Sequence, residues 1–350
     1  MAESNAFKTL EEKDIVSTRT LLHEAIPLTG TIVSGTYAGN NIKNPPHGMY
    51  QSVYDYPYLS SSANHIFDIT VGVSSTSTHY DTGNTQAAKK KNVYNQMAQL
   101  LVGYDATGSV MRFDQDGDLT GGNKYDEVII MPFSRLLVKD EIKKGTFSMT
   151  IGTNATFNNS SYTDTIEIKD MSGSDGYFVN SPVGEYGVLF GTGSYMTSST
   201  TAPVGLLYYQ AGIAVLTKDI FSGSVHPNGV ELSSTGELID DMLTGSTIED
   251  IADGMRNRIV NIQFNNTTEL NSTIYFCRAN HNEFNYSTNP TYVEGSKIRV
   301  KTNSTDEPVA YITSIGLYND QNELMATAKL SEPLKKSPST EFTLRARLDY

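Results

Sequence analysis

The chain has no tryptophan and a single cysteine, Cys277, among its 350 residues. One thiol makes no internal disulfide, which excludes a disulfide-stapled scaffold and points to a reducing compartment. Cys277 follows the apolar Ile274-Tyr275-Phe276 and has no flanking glycine or histidine of the kind that marks a thiol nucleophile. Positive charge is also scarce, with 26 Lys and Arg against 39 Asp and Glu and a net charge of −13. Phosphate backbones are bound through cations that displace counterions, so nucleic acid is not expected as a partner, nor is an anionic membrane surface. Long hydrophobic runs are missing. The longest, Val204 to Thr217, already contains Tyr208, Tyr209, Gln210 and Gly212 and falls short of the ~20 apolar residues a membrane-spanning helix needs. The start, Met1-Ala2-Glu3-Ser4-Asn5, has neither a basic nor an apolar region, so no secretory signal is expected.

Motifs of chemistry are equally sparse. The six histidines (His23, His47, His65, His79, His226, His281) lack metal-ligand spacing, and His23-Glu24 has no second histidine to complete a zinc helix. There is no Gly-x-Ser-x-Gly elbow, and Gly117 to Lys124 departs from a phosphate loop because Asn123 interrupts the Gly-Lys pair. Enzymatic activity is therefore not expected.

What is present is polar and aromatic. Apolar residues make up 38% and charged residues 19%, both below usual globular values, while 21 Tyr and 13 Phe argue for a folded chain. Period-two alternation over Ile66 to Ser74 and over Phe342 to Tyr350 predicts half-buried strands. Further strands are expected at 127–131, 146–152, 165–169, 186–190, 259–264, 273–279, 297–301, 309–318 and 324–330. Val204 to Leu216 reads as two buried strands or one bent strand, since Gly212 interrupts it. Helices are expected at Thr9–Ala25, at Asn84–Val102 with Lys89, Lys90 and Lys91 as a solvated face, within Phe133–Lys144, at Glu237–Leu243, and at Thr247–Met255 with Ser246 and Glu249 as a capping box. The fold class is mainly β with a few short helices, ending in an antiparallel β-sandwich or barrel-like unit. Three regions follow: 1–60, an N-terminal helix and Tyr-rich assembly arm; 61–256, a β-rich central domain with inserted helices; and 257–350, a C-terminal antiparallel β domain.

Two groups of residues are candidates for function. Asp114, Asp116 and Asp118 stand at i, i+2 and i+4 around Gly117, a spacing that can curl round a hard cation such as calcium. Leu119 occupies position six, where an EF-hand has glycine, and Tyr125 position twelve, where the bidentate glutamate belongs. An acidic turn is the alternative, and a bound ion would be structural. The second group is Tyr50, Tyr54, Tyr56 and Tyr58, which together with Leu21 and Leu22 could form an interface, because tyrosine joins a rigid apolar ring to a polar tip. These tyrosines could equally pack on the chain's own core.

The C-terminal run Ile312-Thr313-Ser314-Ile315-Gly316-Leu317-Tyr318, a turn at Asn319 to Asn322, Glu323-Leu324-Met325-Ala326-Thr327-Ala328-Lys329 and the Arg-rich strand Leu344-Arg345-Ala346-Arg347-Leu348 resemble a recurrent pattern of bacteriophage tail and tail-fibre attachment proteins. Thr20 to Pro27, Tyr54 to Leu59 and Phe133 to Glu141 are similar to stretches of virion structural proteins of large contractile-tailed phages. The resemblance implies a non-enzymatic virion component of the baseplate or neck, made and assembled in the bacterial host cytoplasm. Its partners would be other tail, neck or baseplate proteins and copies of itself, with three-, six- or twelvefold symmetry, and no cofactor would be required. The alternatives are a host-adhesion or carbohydrate-binding module of a tail fibre and a capsid-associated structural protein.

Overall fold

A computed structural model describes residues 7–23, 32–33, 39–154, 164–171, 176–192, 201–222, 229–286, 293–294, 297–298 and 307–350, with a few isolated positions between them. A single 3₁₀ turn at Glu12–Asp14 leads into β1 (Ile15–His23), β2 (Ile32–Val33), β3 (Ile42–Lys43), β4 (Gln51–Tyr54) and β5 (His65–Val73). Helix α1 (Thr85–Leu101) precedes β6 (Phe113–Asp114), β7 (Lys124–Tyr125), β8 (Glu127–Pro132), the short α2 (Arg135–Val138) and β9 (Glu141–Ile142). Next come β10 (Ser148–Gly152), β11 (Thr165–Asp170), β12 (Phe178–Ser181), β13 (Gly184–Thr192), β14 (Thr201–Tyr208) and β15 (Ile213–Thr217). Helices α3 (Ile239–Gly245) and α4 (Ile248–Arg258) follow, then β16 (Ile259–Gln263), β17 (Asn266–Ala279), β18 (Val293–Glu294) and β19 (Lys297–Ile298). The chain closes with β20 (Ala310–Tyr318), β21 (Leu324–Lys336) and β22 (Phe342–Asp349). The protein is thus mainly β with few helices, as the alternation predicts.

It divides into two compact units, Leu22–Thr268 and Met1–Leu21 together with Glu269–Tyr350. Composition placed the boundaries near 60 and 256 instead. They fall elsewhere because β1 pairs with β17 in the C-terminal unit while β2, β3 and β4 belong to the central sheet.

The larger unit is built on one antiparallel sheet in the order β2-β16-β10-β11-β13-β14-β15-β8-β5-β4-β3, with β12 beside β13. Laid flat at about 4.8 Å per strand, its two edges would stand about 48 Å apart. Yet β2 ends at Val33 and β3 begins at Ile42, and that stretch of chain spans at most about 32 Å. The sheet must therefore be rolled, its opposite edges drawn together by one short link. Val128 to Met131 and Ile213 to Leu216 are buried without interruption, so the central strands are covered on both faces. The apolar tract through Gly212 is two strands, β14 and β15, reversed at Gly212, whose φ of +66° suits glycine.

Helix α1 begins where its sequence signals: the Asn84 side chain accepts the Gln86 N–H at 2.8 Å and Val93, Tyr94, Ala98 and Leu101 turn inward. It packs on β5, where Gly72 permits the approach; a Cβ there would lie 3.0 Å from the Tyr94 Cα. Lys89, Lys90 and Lys91 are not a uniformly solvated face. Lys90 is fully buried and its ammonium donates to the carbonyls of Met242 (2.9 Å) and Leu243 (2.8 Å) in the last turn of α3. Helix α4 starts one residue later than Ser246 and Glu249 suggested, since Thr247 caps it and exchanges hydrogen bonds with Asp250. Of Phe133 to Lys144 only Arg135–Val138 is helical. Lys139 takes a φ of +57°, and the chain turns into β9, where the Ile142 N–H reaches the Tyr209 carbonyl at 3.0 Å.

In the smaller unit, the helix expected over Thr9–Ala25 is replaced by the 3₁₀ turn and β1, with residues 24 and 25 outside the described residues. The β-branched Ile15, Val16, Thr18 and Thr20 favour an extended chain, and β1 lies beside β17, where Ser17 and Thr273 hydroxyls are 3.2 Å apart. β17 and β22 pair without a register shift, Cys277 opposite Leu344 and Tyr275 opposite Ala346. β20 and β21 form a separate antiparallel hairpin. The strand expected at 297–301 is β19, of which 299–301 lie outside the described residues.

Candidate functional site

Strands β6 and β7 pair Phe113 with Tyr125 and Asp114 with Lys124, and close a hairpin whose loop carries Asp116 and Asp118. The loop curls through Gly117, Leu119, Gly121 and Gly122, all at positive φ. Leu119, at +62°, is held there by Asp114, whose Oδ2 accepts the Leu119 N–H at 2.7 Å. The loop is anchored by Tyr186, whose hydroxyl lies 2.7 Å from the Gly117 carbonyl and 2.6 Å from Asn180 Oδ1. Burial, reinforced by the Asp114 charge, pushes that phenol well above its ordinary range.

The three carboxylates converge, with one oxygen from each lying within 4.8 Å of the others. Asp114 is buried while Asp116 and Asp118 are exposed. The Thr120 N–H, 2.7 Å from Asp118 Oδ1, and then the Thr120 hydroxyl hold the Asp118 carboxyl below the usual carboxylate value. The donor type suits a hard cation. A cation is already in place, however, because Lys124 Nζ lies 2.7 Å from Asp114 Oδ1. A buried carboxylate requires such a counter-charge, and a metal ion entering the cluster would have to displace the ammonium from it.

The tyrosines named from sequence do not form a free arm. β4 is part of the large sheet, with Gln51 and Val53 fully buried, and Tyr54 at its end packs against Tyr58 (6.3 Å between ring centroids) and His65 (5.5 Å). Tyr50 lies beside the His47 ring at 5.3 Å. Tyr50, Tyr56 and Tyr58 are nevertheless exposed, as is Leu59 at 84%. Tyr56, Tyr58 and Leu59 sit on the bend and turn after β4, tied back by the Tyr54–Tyr58 contact and the Tyr58 N–H to the Asn40 carbonyl (3.1 Å), and form an exposed aromatic ledge. Leu21 and Leu22 fall on β1, and their side chains lie outside the described residues.

A further polar cluster was not legible in the sequence, because its members come from separate elements. His79 has Nδ1 at 3.3 Å from Glu127 and Nε2 at 3.5 Å from Asp240, which Lys218 also contacts. The Ser77 hydroxyl donates to Glu127 and accepts the His79 N–H, so it is bonded to the carboxylate and not to the imidazole. That arrangement ties the loop before α1 to β8 and α3. At Cys277, burial first and the Asp14 carboxylate second push the thiol up, away from thiolate chemistry. No helix among the described residues is long and apolar enough to cross a membrane.

Comparison with known proteins finds no family model, no curated protein and no solved structure that matches the chain.

Proposed function

We propose that this chain is a non-enzymatic structural component of a bacteriophage virion, assembling through protein–protein contacts into the tail machine at the baseplate or neck. The observation that carries the proposal is the aromatic ledge, in which Tyr56, Tyr58 and Leu59 stand in solvent just after a strand whose Gln51, Ser52 and Val53 are buried. Exposed aromatics on a rigid backing lose little entropy when a neighbour covers them, which is how interface anchors work. The likeness of the C-terminal hairpin and of Tyr54 to Leu59 to tail proteins points in the same direction. The role needs no cofactor and places the protein in the virion after assembly in host cytoplasm, among tail, neck or baseplate neighbours.

The test is cryo-electron microscopy of native particles, with mass spectrometry to identify this chain and count its copies. The expected result is a ring or collar of the tail in which the ledge is covered by a neighbouring subunit. Absence of the chain from purified particles would overturn the proposal, and density only at fibre tips, with selective glycan binding by the free protein, would replace it with host adhesion.

A further inference from the structure

The two units bury their apolar side chains very differently. The hydrophobic core lies wholly between Val53 and Phe264, whereas the buried apolar residues described in the smaller unit are three alanines, Ala279, Ala310 and Ala346. Among the described residues, ten of the nineteen exposed large apolar side chains belong to that unit, including Phe7, Tyr311, Tyr318, Leu324, Met325 and Tyr350. Its hairpin β20–β21 is a two-stranded ribbon, which is marginal unless something covers a face.

The unit also has an open edge. β22 lies at one end of the order β1-β17-β22, and its eight residues run without proline or bulge, so the backbone groups turned away from β17 have no strand partner among the described residues. Net charge opposes self-association little here. The smaller unit carries 12 basic and 14 acidic residues, whereas the larger carries 14 basic and 25 acidic and would repel its own copy.

We infer that the smaller unit is completed by a second copy of this chain, the two β22 edges pairing antiparallel across a two-fold axis at Arg347. In that register Leu344 faces the second copy's Tyr350, Ala346 faces Leu348, and Arg345 faces Asp349, so the apolar row is self-complementary and each outer charged position meets its opposite. The two Arg347 side chains that meet on the axis are each held by their own strand's Asp349 at 2.7 Å and by Ser272 at 2.8 Å. The joined edges form one continuous sheet, in which Leu344, Leu348 and Tyr350 gain cross-strand neighbours. This inference rests on the smaller unit alone and not on the virion proposal.

The experiment is sedimentation of the full chain, free of particles, from about 1 to about 100 µM. A dimer is expected. Arg345→Glu and Asp349→Arg should each weaken it by roughly tenfold, and the double exchange, which restores the pair with its signs reversed, should recover most of the loss. As an independent readout, Arg347→Cys in a Cys277→Ala background should form an intermolecular disulfide on mild oxidation. A chain that stays monomeric throughout, or an oligomer indifferent to both single charge reversals, would overturn the inference. Neither result bears on whether the chain is found in particles.

Discussion

Lys90 shows how much a single buried cation can set the pH response. Burial, partly offset by the Asp250 charge, lowers its pKa to about 8 from an ordinary value of about 10.5. Between these values the unfolded chain holds a proton that the native chain has released, so stability rises with pH across the window, by up to about 3 kcal/mol. Below pH 8 the cost of the buried charge is constant. The buried phenols of Tyr94, Tyr125, Tyr208 and Tyr209, raised chiefly by burial, work the other way: they keep protons that the unfolded chain loses above pH 10. Denaturant unfolding should therefore show a stability maximum near pH 9–10. Lys90→Met should abolish the rising limb and leave the falling one. At the acidic hairpin, Lys124→Met would strand the buried Asp114 carboxylate on the Leu119 N–H, and a loss of about 2–4 kcal/mol is expected in the same measurement. None of this could be read from residue spacing. A run of three lysines reads as surface, and only the arrival of the α3 terminus, some 150 residues away in sequence, makes the middle one an internal cap.

At the scale of elements, local signals served well where the partner was also local. The Asn84 cap and the 3.6-residue spacing of Val93, Met97 and Leu101 define α1, and the period-two patterns of β5 and β22 define strands. They failed at Thr9–Ala25, where an apolar helix-like spacing competes with β-branched residues and the outcome is decided by β17, far along the chain. The three aspartates named from sequence do converge, and of the tyrosines Tyr54 meets Tyr58, but neither Lys124 beside Asp114 nor the integration of β4 into the sheet was visible in the motif itself. Gly72→Ala places a methyl against the backbone of α1, which cannot yield as a side chain would. The helix should shift, at a cost of about 1–3 kcal/mol by thermal or chemical unfolding. Deletion of residues 1–60, which an arm would tolerate, removes β1, β2, β3 and β4 and should abolish the cooperative unfolding of the large sheet.

For the whole molecule, two units with such unequal cores should not melt alike. Calorimetry of the full chain is expected to show one transition independent of protein concentration, from the rolled sheet, and a second that moves upward with concentration as the smaller unit associates. Two concentration-independent transitions would mean that the smaller unit is stable alone. The pairing of β1 with β17 and of β2 with β16 has a further consequence, in time. The strands made first must wait for partners made more than 200 residues later. At about 5–20 residues per second they stay unpaired for some 10–50 s of synthesis. Neither unit can close until β16 and β17 have been made. The nascent chain, with its exposed strands, is the form of this protein most in need of a chaperone.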